Sequence, residues 1–291
     1  MTRAGGHATK GPLAIVCGGG SLPAAVANAA QRQGRRVVLI GLRGAADPAV
    51  VSAFPHHWIG IGQFGRFVRY ARAEGCRDVV LIGSLVRPPI RGTRLDFLTF
   101  RLLPRIIRAY RNGDDQLLSG IARIMEDYGF RLLGAHEVAP EILMPHGALS
   151  RRRPSENDRW DIKQGLALLR ATGPFDVGQA AIVSDNRVLA IEAAEGTDRM
   201  LAKLIELRST GQIHAREGAG VLIKAPKAGQ DRRFDLPSIG PLTVEGVAQA
   251  GLAGIAVLAG SAVVAEPDRI AQAADRANVF VVGVSADGTD A

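Results

Sequence analysis

The stretch LAIVC-GGGS-LPAAVANAAQRQG-R-RVVLI, residues 13–40, decides the fold of the N-terminal half. LAIVC (13–17) is a short apolar run that predicts a buried strand, and RVVLI (36–40) is a second one. The residues between them have a helical pattern, with Pro23 suited to the first turn and Gly34 to the end of the helix. Strand, glycine turn, helix and strand form one βαβ unit, which predicts a parallel sheet.

The same alternation continues along the chain. We predict a helix over 64–74, a strand over 78–82, helices over 95–110 and 114–128, and a last strand over 132–138. Strands separated by helices predict a Rossmann-like domain over residues 12–145, with ligands at the carboxyl edge of its sheet.

The second half is predicted to be a separate α/β domain over residues 159–285. The segment 146–158, HGALSRRRPSEND, is rich in Pro, Gly, Ser and charge and is predicted to be a linker. The elements predicted after it are helices over 159–171, 197–207, 243–251 and 267–277, and strands over 180–184, 187–193, 221–224 and 279–284. GIAVLA and AVVAE, between the last two helices, are interpreted as two strands or a hairpin.

Composition limits the classes of function. The chain has 291 residues, 47% of them apolar and 22% charged, which is typical of a soluble α/β protein. It contains no run of eighteen apolar residues, its N-terminus lacks the apolar core of a secretory signal, and its two cysteines fit a reducing cytoplasm. The net charge of +8 favours anionic lipid or phosphate ligands. Nucleic acid is not expected, because aromatic residues are few and show no stacking pattern.

The triple glycine is the first candidate binding site. Gly19, Gly20 and Ser21 lie between a predicted strand and a predicted helix, where free backbone N–H groups favour phosphate. A tight turn without a ligand is the alternative. The spacing matches neither GxGxxG nor a Walker loop, and no acidic residue ends the second strand, so a nicotinamide-dependent oxidoreductase is disfavoured.

A second candidate is the segment Glu195-Gly196-Thr197-Asp198, which follows a strand and begins a helix. Thr197 is suited to the N-cap and Asp198 to the first turn, so capping alone is one explanation. The other is that Gly196 permits a close approach and that the two carboxylates bind hydrated Mg²⁺ or a ribose hydroxyl.

The loop 224–240 is the most informative stretch. Lys224 ends an apolar strand, Lys227 follows it, and Asp235 stands between Phe234 and Leu236. A carboxylate among apolar neighbours and near cations is suited to be a metal ligand or a general base, and the lysines to neutralise phosphate oxygens. A solvated surface loop is the alternative. Asp235, helped by Asp198, is the predicted metal site.

Several motifs together resemble one family. They are GGGSLP (18–23), GIGQFGRF (60–67), GDDQLL (113–118), GAHEV (134–138), DVGQAAIV (176–183), EAAEGTDRML (192–201) and KAPK with FDLPSIG (224–240). This set is similar to the UDP-2,3-diacylglucosamine pyrophosphatases of lipid A biosynthesis, of the type found in Gram-negative bacteria that lack the calcineurin-like phosphoesterase. The resemblance covers residues 12–284.

The resemblance implies a Rossmann-like N-terminal domain, a C-terminal α/β domain and a lipid substrate held between them. It implies Mg²⁺-dependent hydrolysis of UDP-2,3-diacylglucosamine to UMP and 2,3-diacylglucosamine 1-phosphate, with Asp235 as the essential aspartate. It adds Gln179, Gly83 and Ser84 as substrate-binding residues, Ser84 replacing the usual Asn of the family motif. A peripheral contact with the inner membrane is expected from the basic charge. The sequence leaves the oligomeric state open, a homodimer included.

One alternative function, from a different class of protein, stays open. A non-catalytic protein that binds a nucleotide sugar or a lipid would keep the glycine turn but would not need Asp235 or a metal. Product formation with and without EDTA separates the two.

Overall fold

A computed structural model describes residues 11–85, 94–110, 114–175, 177–213, 216–227, 231–234, 236–264 and 266–290. The chain divides into two compact units. The N-terminal unit comprises Met1–Pro140 and Asp231–Phe234, and the C-terminal unit comprises Glu141–Gln230 and Asp235–Ala291.

The N-terminal unit is built on a parallel sheet. Its strands are β1 (Leu13–Cys17), β2 (Val37–Leu42), β3 (His56–Ile59), β4 (Asp78–Ile82) and β5 (Arg131–Leu132). Its helices are α1 (Leu22–Arg32), α2 (Pro48–Ser52), α3 (Phe64–Ala73), α4 (Phe97–Tyr110), α5 (Asp114–Asp127) and α6 (Ala135–Val138). The strand order is β3-β2-β1-β4-β5 and every pair is parallel. This is the Rossmann order, so the predicted fold class is confirmed for this unit.

The sequence prediction missed one strand and extended another. β3 was not predicted because its sequence, HHWI, is half-exposed at the sheet edge and lacks the apolar pattern of a buried strand. The predicted strand over 132–138 is wrong beyond Leu132. Gly134 precedes α6 there. Its N–H donates to the Glu137 carboxylate at 2.7 Å, which gives a partner to a free backbone donor at the start of this helix.

The C-terminal unit has a second, mixed sheet. Its strands are β6 (Gly147–Ala148), β7 (Ala180–Ser184), β8 (Arg187–Ile191), β9 (Val221–Lys224), β10 (Ser238–Ile239), β11 (Gly254–Leu258), β12 (Val263–Val264) and β13 (Phe280–Val284). Its helices are α7 (Glu156–Thr172), α8 (Thr197–Ser209), α9 (Pro241–Gln249) and α10 (Pro267–Ala277). The order of the large sheet is β6-β13-β11-β9-β7-β8, with β9, β11 and β13 parallel. β12 pairs with β10 in a separate small sheet, so it does not form a hairpin with β11.

Both faces of this sheet are buried. On β9, Leu222 packs into a core with α8, α9 and α10, whereas Ile223 packs into a second core with α7. Successive strand residues point to opposite faces, so a strand buried on both sides has a continuous apolar sequence. This explains why VLIK and GIAVL were predicted as strands although apolar and polar residues do not alternate in them.

The segment predicted to be a linker contains structure of the C-terminal unit. β6 pairs antiparallel with β13, and Ser155 caps α7 by accepting a hydrogen bond from the Asp158 N–H at 3.2 Å. The Arg152 guanidinium donates to the Asn278 carbonyl at 2.6 Å. In sequence, the boundary between the two compact units follows Pro140, before the predicted segment 146–158 begins. Gly147 lies in an edge strand, Ser155 caps a helix and Arg152 bonds to another segment, so a composition typical of a linker here belongs to ordered structure.

Across the described parts of the chain, no helix has the length and apolar character that crossing a bilayer requires.

Candidate functional site

The C-terminal unit has a cavity where strands of its sheet end. β9 ends at this edge with Lys224, β8 ends there, and β7, which runs antiparallel to both, begins there. The cavity has a volume of about 300 Å³. It is lined by Gly178, Gln179, Glu192, Ala193, Lys224, Leu236, Pro237 and Ser238. The edge of a sheet at which strands end is a common position for a ligand, because loops can present side chains there on a rigid support.

Lys224 is the buried cation of this cavity. It is 8% exposed, and its Nζ donates to the Thr197 hydroxyl and to the Ser238 carbonyl, both at 3.0 Å. Burial lowers the pKa of Lys224, whereas the charges of Glu192 and Asp198 act to raise it. An ammonium has three donors, and these two partners within the described residues use two of them. The arrangement can hold an anion in the cavity.

Glu192 is the acidic partner of this site. Its carboxylate accepts from the Thr197 hydroxyl at 2.8 Å and from the Gln179 N–H at 2.9 Å. Thr197 therefore connects the ammonium of Lys224 to the carboxylate of Glu192. Gly178 lies against the same residue, since a Cβ at this position would stand 2.5 Å from the Glu192 carbonyl oxygen. A side chain at position 178 would therefore displace Glu192.

The beginning of α8 differs from the predicted arrangement. Gly196, with φ of 80°, is the N-cap, and Thr197 is the first helical residue. Thr197 was predicted to be the N-cap; instead its hydroxyl bonds to side chains of the cavity. Gly196 is required because its backbone lies in the left-handed region, which glycine adopts at little cost. Glu195 and Asp198 are exposed.

Two other predicted catalytic residues, Lys227 and Asp235, have different outcomes. Lys227 is half-buried beyond the end of β9 and is not among the residues that line the cavity. Asp235 lies outside the described residues, so its prediction as catalytic residue and metal ligand stays a prediction. The residues that follow it in sequence, Leu236 and Pro237, line the cavity.

The predicted metal has a limited set of described donors. Among the described residues, no group of three or more His, Cys, Asp or Glu side chains could hold a metal ion. Mg²⁺ is commonly bound through one or two carboxylates together with water and substrate phosphates. Glu192 on the cavity wall and Asp198, close enough to affect the pKa of Lys224, are carboxylates of this kind. Two carboxylates suffice for Mg²⁺ that takes water and substrate phosphates as its other ligands, and the magnesium site stays a prediction.

The glycine sites of the N-terminal unit come together in space. Gly19 and Ser84 form a bridge, with hydrogen bonds from the Gly19 N–H to Ser84 O at 2.8 Å and from the Ser84 N–H to Gly19 O at 2.9 Å. A Cβ at Gly18 would lie 2.4 Å from the Ser84 carbonyl oxygen. β1 and β4 are the central neighbours in the sheet where the strand order reverses, which is where ligands bind in such folds.

These glycines have a structural role whether or not a ligand is bound. Gly83 has φ of 105°, and a Cβ on it would lie 2.7 Å from the Gly18 carbonyl carbon. The turn after β1 therefore packs directly on the turn after β4. Gly20, with φ of 90° and open space at its Cβ position, is the glycine that leaves room beside α1. The predicted residues Gly19, Gly20, Ser21, Gly83 and Ser84 thus belong to one edge of the N-terminal sheet.

Three residues of the cavity, Glu192, Gly178 and Ser238, were not predicted as site residues from the sequence. Glu192 stands directly after the apolar strand β8, and a carboxylate at the end of a strand was an available signal. Ser238 takes part through its carbonyl group, which any residue carries, so its sequence gave no signal.

Two family models match the chain. The one described as "LpxI N-terminal domain" covers residues 12–142, and the one described as "LpxI C-terminal domain" covers residues 145–282. Together they cover the sheet of the N-terminal unit and the sheets of the C-terminal unit up to the last strand, β13.

One curated relative matches almost over its full length. The chain is 40% identical over 272 residues to "UDP-2,3-diacylglucosamine pyrophosphatase LpxI" of Caulobacter vibrioides, which covers 94% of this chain and 97% of the relative. Among solved structures, a UDP-glucose-4-epimerase from Stenotrophomonas maltophila with bound NAD aligns over 96% of this chain and 95% of its own, at 11% identity and a TM-score of 0.28. A likeness at that TM-score supports no conclusion about fold or ligand.

Proposed function

The chain belongs to the LpxI family, and we propose that it hydrolyses the diphosphate bond of UDP-2,3-diacylglucosamine in lipid A biosynthesis. The proposed products are UMP and 2,3-diacylglucosamine 1-phosphate. The observation that carries this proposal is the match at 40% identity over 97% of a relative that bears the name of this activity. The proposed location is the cytoplasm, at the inner face of the membrane that holds the diacylated substrate.

The cavity of the C-terminal unit supports this chemistry. The ammonium of Lys224 is fixed by Thr197 and Ser238, so it does not have to reorganise when charge develops on a phosphate oxygen. Burial strengthens its attraction for an anion, because little water screens it. Glu192 holds the Thr197 hydroxyl and keeps the ammonium in position.

We propose that Asp235 and Asp198 hold Mg²⁺ against the diphosphate. When bound, the metal supplies Lewis-acid neutralisation of charge on the phosphate oxygens. Lys227 would contribute further positive charge. Gln179, Glu195, Gly196 and Thr197 would contact the substrate at the edge of the cavity. The turns at Gly19-Gly20-Ser21 and Gly83-Ser84 would offer backbone N–H groups to the nucleotide.

The direct test uses the purified protein with UDP-2,3-diacylglucosamine dispersed in detergent. Chromatography should resolve UMP and the sugar 1-phosphate as products with Mg²⁺, and EDTA should abolish their formation. Release of UDP instead of UMP would show cleavage of the glycosidic bond and contradict the proposal. Binding of the substrate without any product would support the non-catalytic alternative.

A variant test addresses the predicted aspartate. Asp235→Ala should reduce turnover by at least about 10²-fold, the loss expected when a group that stabilises transition-state charge is removed. Asp268→Ala is the matched control, because Asp268 is an exposed aspartate at the beginning of α10. Equal activity of the two variants would show that Asp235 has no part in the reaction.

A further inference from the structure

Helix α4 of the N-terminal unit exposes large apolar side chains to solvent. Phe97 is 77% exposed, Phe100 is 64% exposed and Ile107 is 40% exposed. Pro104 is also exposed on this helix. Scattered exposed apolar residues are ordinary on proteins, but several on one helix indicate a surface that contacts something else.

Helical geometry places these residues together. At about 100° per residue, positions 97, 100, 104 and 107 occupy one sector of the helix. The arginines of α4 occupy the adjacent sector of the helix and are also exposed. We define the α4 outer face as Phe97, Phe100, Arg101, Pro104, Ile107 and Arg108. The opposite side of the helix carries Thr99 and Leu102, which are buried.

The inner side fixes the helix, so the outer face is presented on a rigid support. The Phe64 N–H donates to the Thr99 hydroxyl at 2.9 Å. The Asp96 carboxylate accepts from the Thr99 N–H at 2.9 Å and from the Arg66 N–H at 3.0 Å. Asp96 is thereby turned towards backbone donors at the start of the helix. From Phe97 to Tyr110 the sequence contains three arginines and no acidic residue.

We propose that the α4 outer face docks on an anionic phospholipid surface. Phenylalanine side chains on such a helix enter the boundary between headgroups and acyl chains, while arginines stay with the lipid phosphates. Charge complementarity selects this occupant, because Arg101 and Arg108 border the apolar sector and α4 itself carries no acidic residue. The proposal rests on the proposed function, which places the diacylated substrate in a membrane.

A second copy of the chain fits this face less well. A two-fold contact brings the same patch of both subunits together, so it would enclose Arg101 and Arg108 of both copies with no acidic residue of α4 to pair with them. Like charges brought together in this way oppose association.

The test measures sedimentation of the full chain with sucrose-loaded vesicles of phosphatidylcholine, with and without phosphatidylglycerol. The wild type should sediment with the anionic vesicles and much less with the neutral ones. Arg101→Gln/Arg108→Gln should weaken binding by about fivefold for each arginine. Phe97→Ser/Phe100→Ser should reduce binding at least tenfold, because two aromatic side chains no longer leave water.

Matched controls remove similar groups elsewhere. Arg187→Gln/Arg276→Gln removes two exposed arginines, and Trp160→Ser/Leu242→Ser removes two exposed apolar residues. Both controls should bind anionic vesicles as the wild type does. If the controls lose binding as strongly as the α4 variants, attraction depends on overall charge or hydrophobicity, and the proposal is overturned.

Two further measurements separate this proposal from others. With substrate dispersed in detergent, Phe97→Ser/Phe100→Ser should turn over at the wild-type rate, whereas its rate should fall with substrate in anionic vesicles. A loss of turnover in detergent as well would place α4 in the substrate site and refute membrane docking. Sedimentation velocity should show the same mass for variant and wild type, and a change from dimer to monomer would identify an interface between copies. If the wild type binds anionic vesicles but hydrolyses no substrate, docking holds and the proposed function fails.

Discussion

Replacement of Lys224 by methionine is the sharpest perturbation of the candidate site. Methionine keeps most of the length of the buried stem but removes the ammonium that donates to Thr197 and Ser238 at 3.0 Å. A preorganised donor that acts on developing transition-state charge contributes about 2.7–4 kcal/mol, or about 10²–10³ in kcat. We expect kcat to fall by this factor in Lys224→Met.

The effect on stability should be smaller than the effect on activity. Two hydrogen bonds are lost, at a net cost of about 1 kcal/mol each. This cost is offset in part, because an ammonium that is only 8% exposed no longer has to be desolvated. The free energy of unfolding should therefore change by no more than about 2 kcal/mol.

The assay compares steady-state kinetics of detergent-dispersed substrate with thermal unfolding. Lys203→Met is the matched control, because Lys203 is an exposed lysine on α8 in the same unit. The control should keep the wild-type kcat. If Lys224→Met retained kcat within about threefold, far below the loss of 10² expected for such a donor, the assignment of Lys224 would be refuted.

Three other changes test particular contacts. Thr197→Val should lower kcat about tenfold, a loss of about 1.4 kcal/mol of transition-state stabilisation, because it removes the hydroxyl that bonds to both Lys224 and Glu192; an unchanged kcat would show that the hydroxyl does not position the site. Asp78→Asn should destabilise the N-terminal unit by about 3–5 kcal/mol in urea unfolding, because the buried Arg35 guanidinium loses its carboxylate. Burial acts to raise the pKa of Asp78, but hydrogen bonds and charge from Arg131 and Arg35 together outweigh it and lower the pKa below 3.8. The stabilising contribution of Asp78 is therefore complete above pH 3.8 and is lost as the pH falls through the lowered pKa, so wild type and variant should converge in stability only in that acidic range. Gly18→Ala should cost more than Gly20→Ala in unfolding free energy, about 3 kcal/mol against about 1 kcal/mol, because its Cβ meets backbone at 2.4 Å whereas Gly20 has only an unfavourable φ of 90°; equal costs would contradict the packed-turn geometry.

The elements with strong local patterns were predictable from the sequence. Apolar runs mark β1, β4 and β9, and a proline marks the start of α1 and α10. The local sequence therefore determines where these elements form. The two α/β regions and the glycine turns followed from the same signals. β3 and the short β6 could not be predicted, because an edge strand needs only one partner and carries no continuous apolar sequence.

The sequence also named part of the candidate site. Lys224 was identified because a lysine at the end of an apolar strand is unusual, and its buried position on the cavity wall agrees with that reasoning. Thr197 was named, but with a capping role. Its hydroxyl bonds to residues that precede it by five positions and follow it by 27 positions, and no local pattern shows such a pair.

Local chemistry in the sequence determined where strands, helices and glycine turns form, and a resemblance spread over several motifs determined the family. Tertiary structure alone decided which strands are neighbours, that the turns after β1 and β4 pack backbone against backbone, and that Lys224, Thr197 and Glu192 form one connected site. The physical reason is the range of the interactions. Strand and helix preferences act between residues close in sequence, whereas a buried ammonium finds its partners only after separate segments have packed together.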